Sequence, residues 1–345
     1  MSEPRQVAVV INPVKNHADE ARGLVRAQAS ALGWPEPLFF ETEEDDPGHS
    51  MAKAALDAGA TLIVAAGGDG TVRAVAAALI GHGGIHLAIL PLGTGNLLAR
   101  NLGINVDEME TAAHTALNGP TEPLDALRIR ASNRGSEPQE HTSLVATGVG
   151  LDAEVMLHTN EKLKKVVGPA AYAAAAVGKI FGHRYQVRIS VNDGPWTTER
   201  VRTVLFANAG YIQGGIEFAQ GARLDDGTQQ AMVVTARDAW DWSQVAVKAL
   251  LRPSKRVSAL QQLEGTTIRV RPFYPLAAQV DGDPIGMVTD LESTVLPSAL
   301  TVRVPAEHHR TAPGGSMAQL LPAELAPTAL VAEGKKQARR FLRGK

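Results

Sequence analysis

The first hundred residues alternate between short β-branched runs and longer stretches rich in Ala, Leu and charge, and this alternation narrows the fold more than any other feature. Val7–Ile11 stops at Asn12-Pro13 and reads as a buried strand ending in a turn. Leu38–Glu41, Thr61–Ala66 and Leu87–Leu90 are further strands. Ala18–Leu32, Ser50–Ala58 and Val72–Ile80 read as helices, each closed by a glycine: Gly33, Gly59 and Gly81. Strands and helices in strict turn imply a parallel sheet covered by helices. In such sheets ligands sit beyond the carboxyl ends of the strands.

Two glycine clusters fall at those ends. The first is Gly67-Gly68-Asp69-Gly70-Thr71, directly after the third strand. Its glycines allow close backbone approach to a ligand, and the helix that follows turns free N–H groups and a positive dipole end toward the same spot. Thr71 offers a hydroxyl to a phosphate. Asp69 would be repelled by bare phosphate, so it implies a cation between them. The plainer alternative is a glycine turn with Asp or Thr as a helix cap. The second cluster, Gly93-Thr94-Gly95-Asn96, follows the next strand and would lie beside the first. The Gly-x4-Gly-Lys-Ser/Thr string of a P-loop is absent, and Asn12-Pro13 stands where a dinucleotide fingerprint would begin. Gly148-Val149-Gly150-Leu151-Asp152-Ala153 imitates that fingerprint, but in β-rich surroundings, and is read as a decoy.

From about Leu124 the texture changes. Leu124–Ile129, Ser143–Val149, Tyr185–Val191, Arg202–Asn208, Ala231–Thr235, Thr267–Val270, Ala277–Val280 and Ala299–Val304 read as strands, with helix in Asp152–Gly182 and Asp241–Leu251. The expected fold class is α/β: a parallel-sheet nucleotide-binding domain over 1–123, then a β-rich, sandwich-like domain over 124–304. A terminal segment over 305–345 either returns to the first domain or trails off as a basic tail. The length of 345 residues suits two domains, and 44% hydrophobic with 20% charged residues is a globular composition. A formal net charge of -2 gives no global pull toward nucleic acid, and the absence of cysteine excludes disulfides and thiolate chemistry while suiting a reducing cytoplasm.

These segments resemble the bacterial diacylglycerol kinase family, relatives of sphingosine and ceramide kinases. The resemblance runs from Val7 to Val304 and rests on Asn12-Pro13, Gly67–Thr71, Pro91-Leu92-Gly93-Thr94-Gly95-Asn96, Leu224-Asp225-Asp226-Gly227 and Val280-Asp281-Gly282-Asp283. It implies an ATP- and Mg2+-dependent lipid kinase, with diacylglycerol as acceptor and phosphatidic acid as product. It implies a cleft between a nucleotide domain and a lipid-binding domain. Asn12, Thr42, Gly67, Gly68, Asp69, Gly70, Thr71, Val72, Arg73, Gly93, Thr94, Gly95 and Asn96 become the expected nucleotide-binding residues. Asp69 joins the magnesium network, and Asp283 takes the place of the catalytic base, usually Glu. Asp226, with the carbonyls of Arg223 and Thr228, becomes a structural metal loop. Read alone, Asp225-Asp226-Gly227 and Asp281-Gly282-Asp283-Pro284 are turn chemistry. Asp283 is one methylene shorter than Glu, and Val14-Lys15-Asn16 replaces the family's Ser-Gly pair.

A lipid acceptor implies transient contact with the inner membrane face from the cytoplasmic side. Lys162, Lys164 and Lys165 before Gly168–Tyr172 are candidate contacts, with a solvated charge face beside a packed helix as the equal alternative. The basic run Lys335–Lys345 reads as a disordered tail and Trp240 with Trp242 as packing residues, with membrane contact as the alternative for both. The competing functions are phosphorylation of a sphingoid base, ceramide or another glycerolipid, a NAD kinase, and a non-catalytic binding protein.

Overall fold

A computed structural model describes residues 6–150, 184–212, 216–217, 223–238, 240–241 and 258–306. The expected helices over 152–182 and 242–251, the lysine cluster at 162–165, Trp242 and the basic run 335–345 lie outside the described residues.

The amino-terminal half alternates as its sequence dictates. β1 (Val7–Ile11), β2 (Leu38–Glu41), β3 (Leu62–Gly67) and β4 (His86–Pro91) pair in parallel in the order β2-β1-β3-β4. Helices α1 (Ala18–Ala31), α2 (His49–Asp57) and α3 (Asp69–Leu79) connect them. β1 and β3 are buried along their whole length, which explains their unbroken apolar runs. α1 buries Ala18, Ala21, Val25 and Ala29, a spacing of three and four residues that makes one helical face. Gly33 and Gly59 follow their helices with φ of 69° and 78°, a left-handed turn open to glycine without strain.

After α4 (Leu97–Asn101) and α5 (Met109–Asn118) the chain becomes β-rich. β5 (Thr121–Ser132), β6 (Gln139–Ser143), β8 (Tyr185–Val191), β9 (Thr197–Val201), β15 (Thr267–Pro272) and β18 (Asp290–Arg303) extend the first sheet to ten strands. A second, six-stranded antiparallel sheet has the order β14-β13-β10-β7-β16-β17. Its members are β7 (Ala146–Gly150), β10 (Thr203–Ala207), β13 (Gln229–Val234), β14 (Leu260–Gly265), β16 (Leu276–Val280) and β17 (Asp283–Val288). β11 (Tyr211–Ile212) and β12 (Ile216–Glu217) form a small separate ribbon. Leu127, Ile129, Ile189 and Val270 of the first sheet meet Val149, Val204, Phe206 and Val280 of the second in one core, so this half is a sandwich.

β18 ties the halves together. It runs antiparallel to β5, shifts register between Leu296 and Leu300, and then pairs Thr301 and Val302 in parallel with His86 and Leu87 of β4. Leu300, Val302 and Val304, grouped in sequence with the second domain, pack into the core of the first. The expected single strand over 143–149 is two, broken at Leu144-Val145, because those backbone N–H groups turn toward a carboxylate instead of a neighbouring strand. Among the described residues no helix is long and apolar enough to cross a membrane.

Candidate active site

The adjacent parallel strands β3 and β4 put both glycine clusters at one sheet edge. Gly67 is in register with Pro91, and the Leu92 N–H donates to the Gly67 carbonyl at 2.9 Å. The loops touch so closely that a Cβ on Gly93 would lie 2.7 Å from the Gly68 Cα. A Cβ on Gly67 would strike the Thr71 side chain at 2.6 Å. Side chains at these positions would fill the space the loops share, so the sequence keeps them bare.

Two polar side chains lock the pair. Asn96 sits in the left-handed region at φ 49°; its Oδ1 accepts from the Gly93 N–H at 3.1 Å and its Nδ2 donates to the Gly93 carbonyl at 2.7 Å. Asp69 reaches from the first loop to the second: its Oδ1 accepts the Leu97 N–H at 2.6 Å, at the start of α4. A Cβ on Gly95 would lie 2.6 Å from the other Asp69 oxygen. Burial is the largest influence on the Asp69 carboxyl and raises its pKa; the Leu97 and Asn96 N–H groups work against that rise, and the charge of Asp281 adds to it. Among the described residues no Lys or Arg ion-pairs with Asp69. A half-buried carboxylate in that setting suits a bound cation.

The second half reaches this edge through one hairpin. Asp281 and Gly282, at φ 48° and 92°, make the two-residue turn between β16 and β17, and Val280 faces Asp283 across it. The Asp281 carboxylate accepts the N–H groups of Leu144, Val145 and Ala146 at 2.9, 3.0 and 2.9 Å, and the Ser143 hydroxyl at 2.8 Å. The turn is thereby bolted to the β6–β7 break. Next in the chain, Asp283 accepts Nη2 of Arg73 at 2.5 Å, while Nη1 of Arg73 donates to the Val280 carbonyl at 2.5 Å. Arg73 lies in α3, just past the first glycine cluster, and the Asp283 Oδ2 is 3.8 Å from where a Gly70 Cβ would be. The expected base and the expected nucleotide loop therefore meet.

The other expected residues divide. Asn12 and Thr42 sit at the same edge: the Asn12 N–H donates to Ala66, the Asn12 side chain accepts the Val14 N–H, and the Thr42 N–H donates to Ile11. Thr94 is exposed at the second loop and Thr71 is buried beneath the first. Val72 is buried in the core, and its N–H donates to the Gly68 carbonyl at 3.0 Å. Arg223, Asp226 and Thr228 lie together in a loop remote in sequence from these. There the Asp226 carboxylate accepts the backbone N–H groups of Arg223 and Thr228 and the Thr228 hydroxyl at 3.3, 2.9 and 2.8 Å, while Asp225 is forked to the Arg223 guanidinium. Asp125, fully buried, accepts the N–H groups of Gly227 and Ser298 and anchors that loop. Among the described residues no group of three or more His, Asp or Glu side chains is arranged to hold a metal; of the loop's two carboxylates, Asp225 is already paired with Arg223 and Asp226 with N–H and O–H donors of the loop.

Sequence reasoning missed Asp281 as the hairpin's anchor, although the Asp-Gly pair marks the turn. It also missed His141 on β6, whose Nε2 is buried without a hydrogen bond. Burial first, and the nearby Arg73 charge second, hold its imidazole below the usual range.

The comparisons with known proteins bear on family and fold. Residues 6–129 match the diacylglycerol kinase catalytic domain, and residues 144–304 match the YegS C-terminal NAD kinase beta sandwich-like domain. A protein of Pseudomonas aeruginosa named as a probable YegS-like lipid kinase is 32% identical over 305 residues, covering 87% of this chain and 95% of that protein. One of the same name from Pseudomonas fluorescens is 28% identical over 334 residues, covering 89% and 97%. A crystal structure of a diacylglycerol kinase from Bacillus anthracis shares the fold, with a TM-score of 0.67 at 18% identity over 90% of this chain and 100% of that one. The chain belongs to the bacterial YegS/diacylglycerol-kinase-like family of lipid kinases.

Proposed function

We propose that the chain transfers the γ-phosphate of ATP to a hydroxyl of a lipid. The observation that carries the reading is the contact of Asp283, from the β-rich half, with Arg73 and the Gly70 turn of the first glycine loop. In the reaction the lipid hydroxyl oxygen forms a bond to the γ-phosphorus, the bond from that phosphorus to the β–γ bridging oxygen breaks, and ADP leaves with the electron pair. Asp283 accepts the hydroxyl proton. The glycine-rich Gly67–Gly70 and Gly93–Gly95 backbones cradle the phosphates, Arg73 neutralises charge there, and Asp69 would hold Mg2+, which would supply further charge neutralisation.

Diacylglycerol, the acceptor the resemblance implied, is one candidate in this class. A sphingoid base, ceramide or another glycerolipid are the others, and the names of the relatives support the class as a whole. Such acceptors lie in a bilayer, so the reading includes transient contact with the inner membrane face. The test is labelled ATP and Mg2+ with mixed micelles carrying one candidate lipid at a time, beside NAD. Label in an extractable lipid supports the proposal and names the acceptor. Label only in NADP makes the protein a NAD kinase, and no turnover across the panel makes it a binding protein.

A further inference from the structure

We propose that Arg73 serves two partners in turn: Asp283 while the cleft holds no nucleotide, and the terminal phosphate once it does, so that nucleotide binding releases Asp283 for proton transfer. This rests on the kinase reading of the cleft.

Arg73 lies near the start of α3, and helical side chains lean toward the amino end. Its guanidinium therefore overhangs the Asp69–Gly70 turn, where free N–H groups and the helix dipole favour an anion. In this structure the anion at that place is the Asp283 carboxylate, held by Nη2 and close above Gly70. On this proposal, Asp283 holds the place that the terminal phosphate takes. Among the described residues it is the one carboxylate in ion-pair contact with Arg73, and His141, held below its usual range by burial and then by the Arg73 charge, brings no competing anion. The pair is partly exposed, 21% for Arg73 and 58% for Asp283, so it is easily exchanged. A phosphate brings more charge and three oxygens to the same fork of donors and displaces the carboxylate.

The hairpin does not leave when Asp283 is released. Asp281 remains fixed by its four donors, and Nη1 of Arg73 still has the Val280 carbonyl. Release frees the Asp283 oxygen without moving its backbone. The shorter side chain thereby becomes useful at the moment the phosphate arrives. Nucleotide affinity and the state of Asp283 are then linked reciprocally.

The test is calorimetric titration of the full chain with Mg-ATP and with Mg-ADP, no lipid present, for wild type, Asp283→Asn, Arg73→Ala and the double variant. Exchange predicts that Asp283→Asn tightens ATP by about twofold to fivefold, the size of one partly exposed ion pair, and leaves ADP unchanged. Arg73→Ala weakens ATP and removes any effect of Asp283→Asn. In the nucleotide-free chain, Arg73→Ala lowers the melting temperature more than Asp283→Asn, since it also removes the Val280 hydrogen bond, and the double variant lowers it no further than Arg73→Ala. An equal change for ATP and ADP, a tightening that persists without Arg73, or additive melting shifts overturns the exchange while leaving the kinase reading intact. Failure of the wild-type chain to bind ATP overturns both.

Discussion

The Asp281 anchor decides whether the two halves can share a site, and its removal has a definite cost. Asp281→Ala takes the acceptor from three backbone N–H groups, two of them on residues nearly sealed from solvent: Leu144 is 1% and Val145 3% exposed. Each buried donor left without a partner costs about 1–3 kcal/mol. Water entering the space left by the carboxylate recovers part of that. Alanine also tolerates the left-handed φ of 48° less well, adding about 1 kcal/mol. The sum is about 3–5 kcal/mol, the upper range for a single substitution. Asp281→Asn keeps one acceptor oxygen and the turn preference but points an NH2 group at backbone donors, and costs about 1–3 kcal/mol. Urea unfolding followed by circular dichroism measures both. The order wild type, Asn, Ala is expected, with the slope unchanged. An alanine variant within about 0.5 kcal/mol of wild type, the range of an ordinary surface change, would show that the cradle does not hold the hairpin.

Other consequences are as direct. Gly93→Ala forces the two loops apart at the Gly68 Cα, and equilibrium binding should show ATP affinity falling more than tenfold, with the circular dichroism spectrum retained. Burial lifts the folded pKa of Asp69 above its ordinary 3.8. Its contribution to stability is therefore full below about 3.8 and is lost as pH rises through the raised value. Melting temperatures without divalent ions should fall less over that rise in Asp69→Asn than in wild type, and Mg-ATP should restore the wild type more. Asp226 with the Arg223 and Thr228 carbonyls remains a proposed cation loop; Mg2+ or Ca2+ should raise the melting temperature of wild type and not of Asp226→Ala.

The sequence was most legible where local chemistry and tertiary structure agree. Val7–Ile11 and Leu62–Ala66 are apolar because they are covered on both faces, and the glycines after the second run are punctuation as well as cradle. β9, with Thr-Thr-Glu-Arg, and β14, with Leu-Gln-Gln-Leu-Glu, were not visible, because their polar composition reflects pairing at the margins of the sheets. β18 was seen only at its end; Pro297 and the left-handed Ser298 interrupt the pattern at the register shift. The site was legible as a list of residues but not as a set of contacts. Arg73 and Asp283 are 210 positions apart, and Ser143 and Asp281 are 138 apart. No spacing rule connects such residues; only the return of the second sheet to the first glycine loop does.

In the proposed reaction, carboxylates from both halves serve one phosphoryl transfer, and this joint role is open to test. It is tested most directly by single-turnover transfer of labelled γ-phosphate to the best lipid of the panel, comparing wild type with Asp69→Ala and Asp283→Ala, each checked for a native circular dichroism spectrum. Labelled lipid is expected from wild type, with a loss of more than a hundredfold in both variants, the scale of a removed acid–base group. Near wild-type transfer by both folded variants would contradict it.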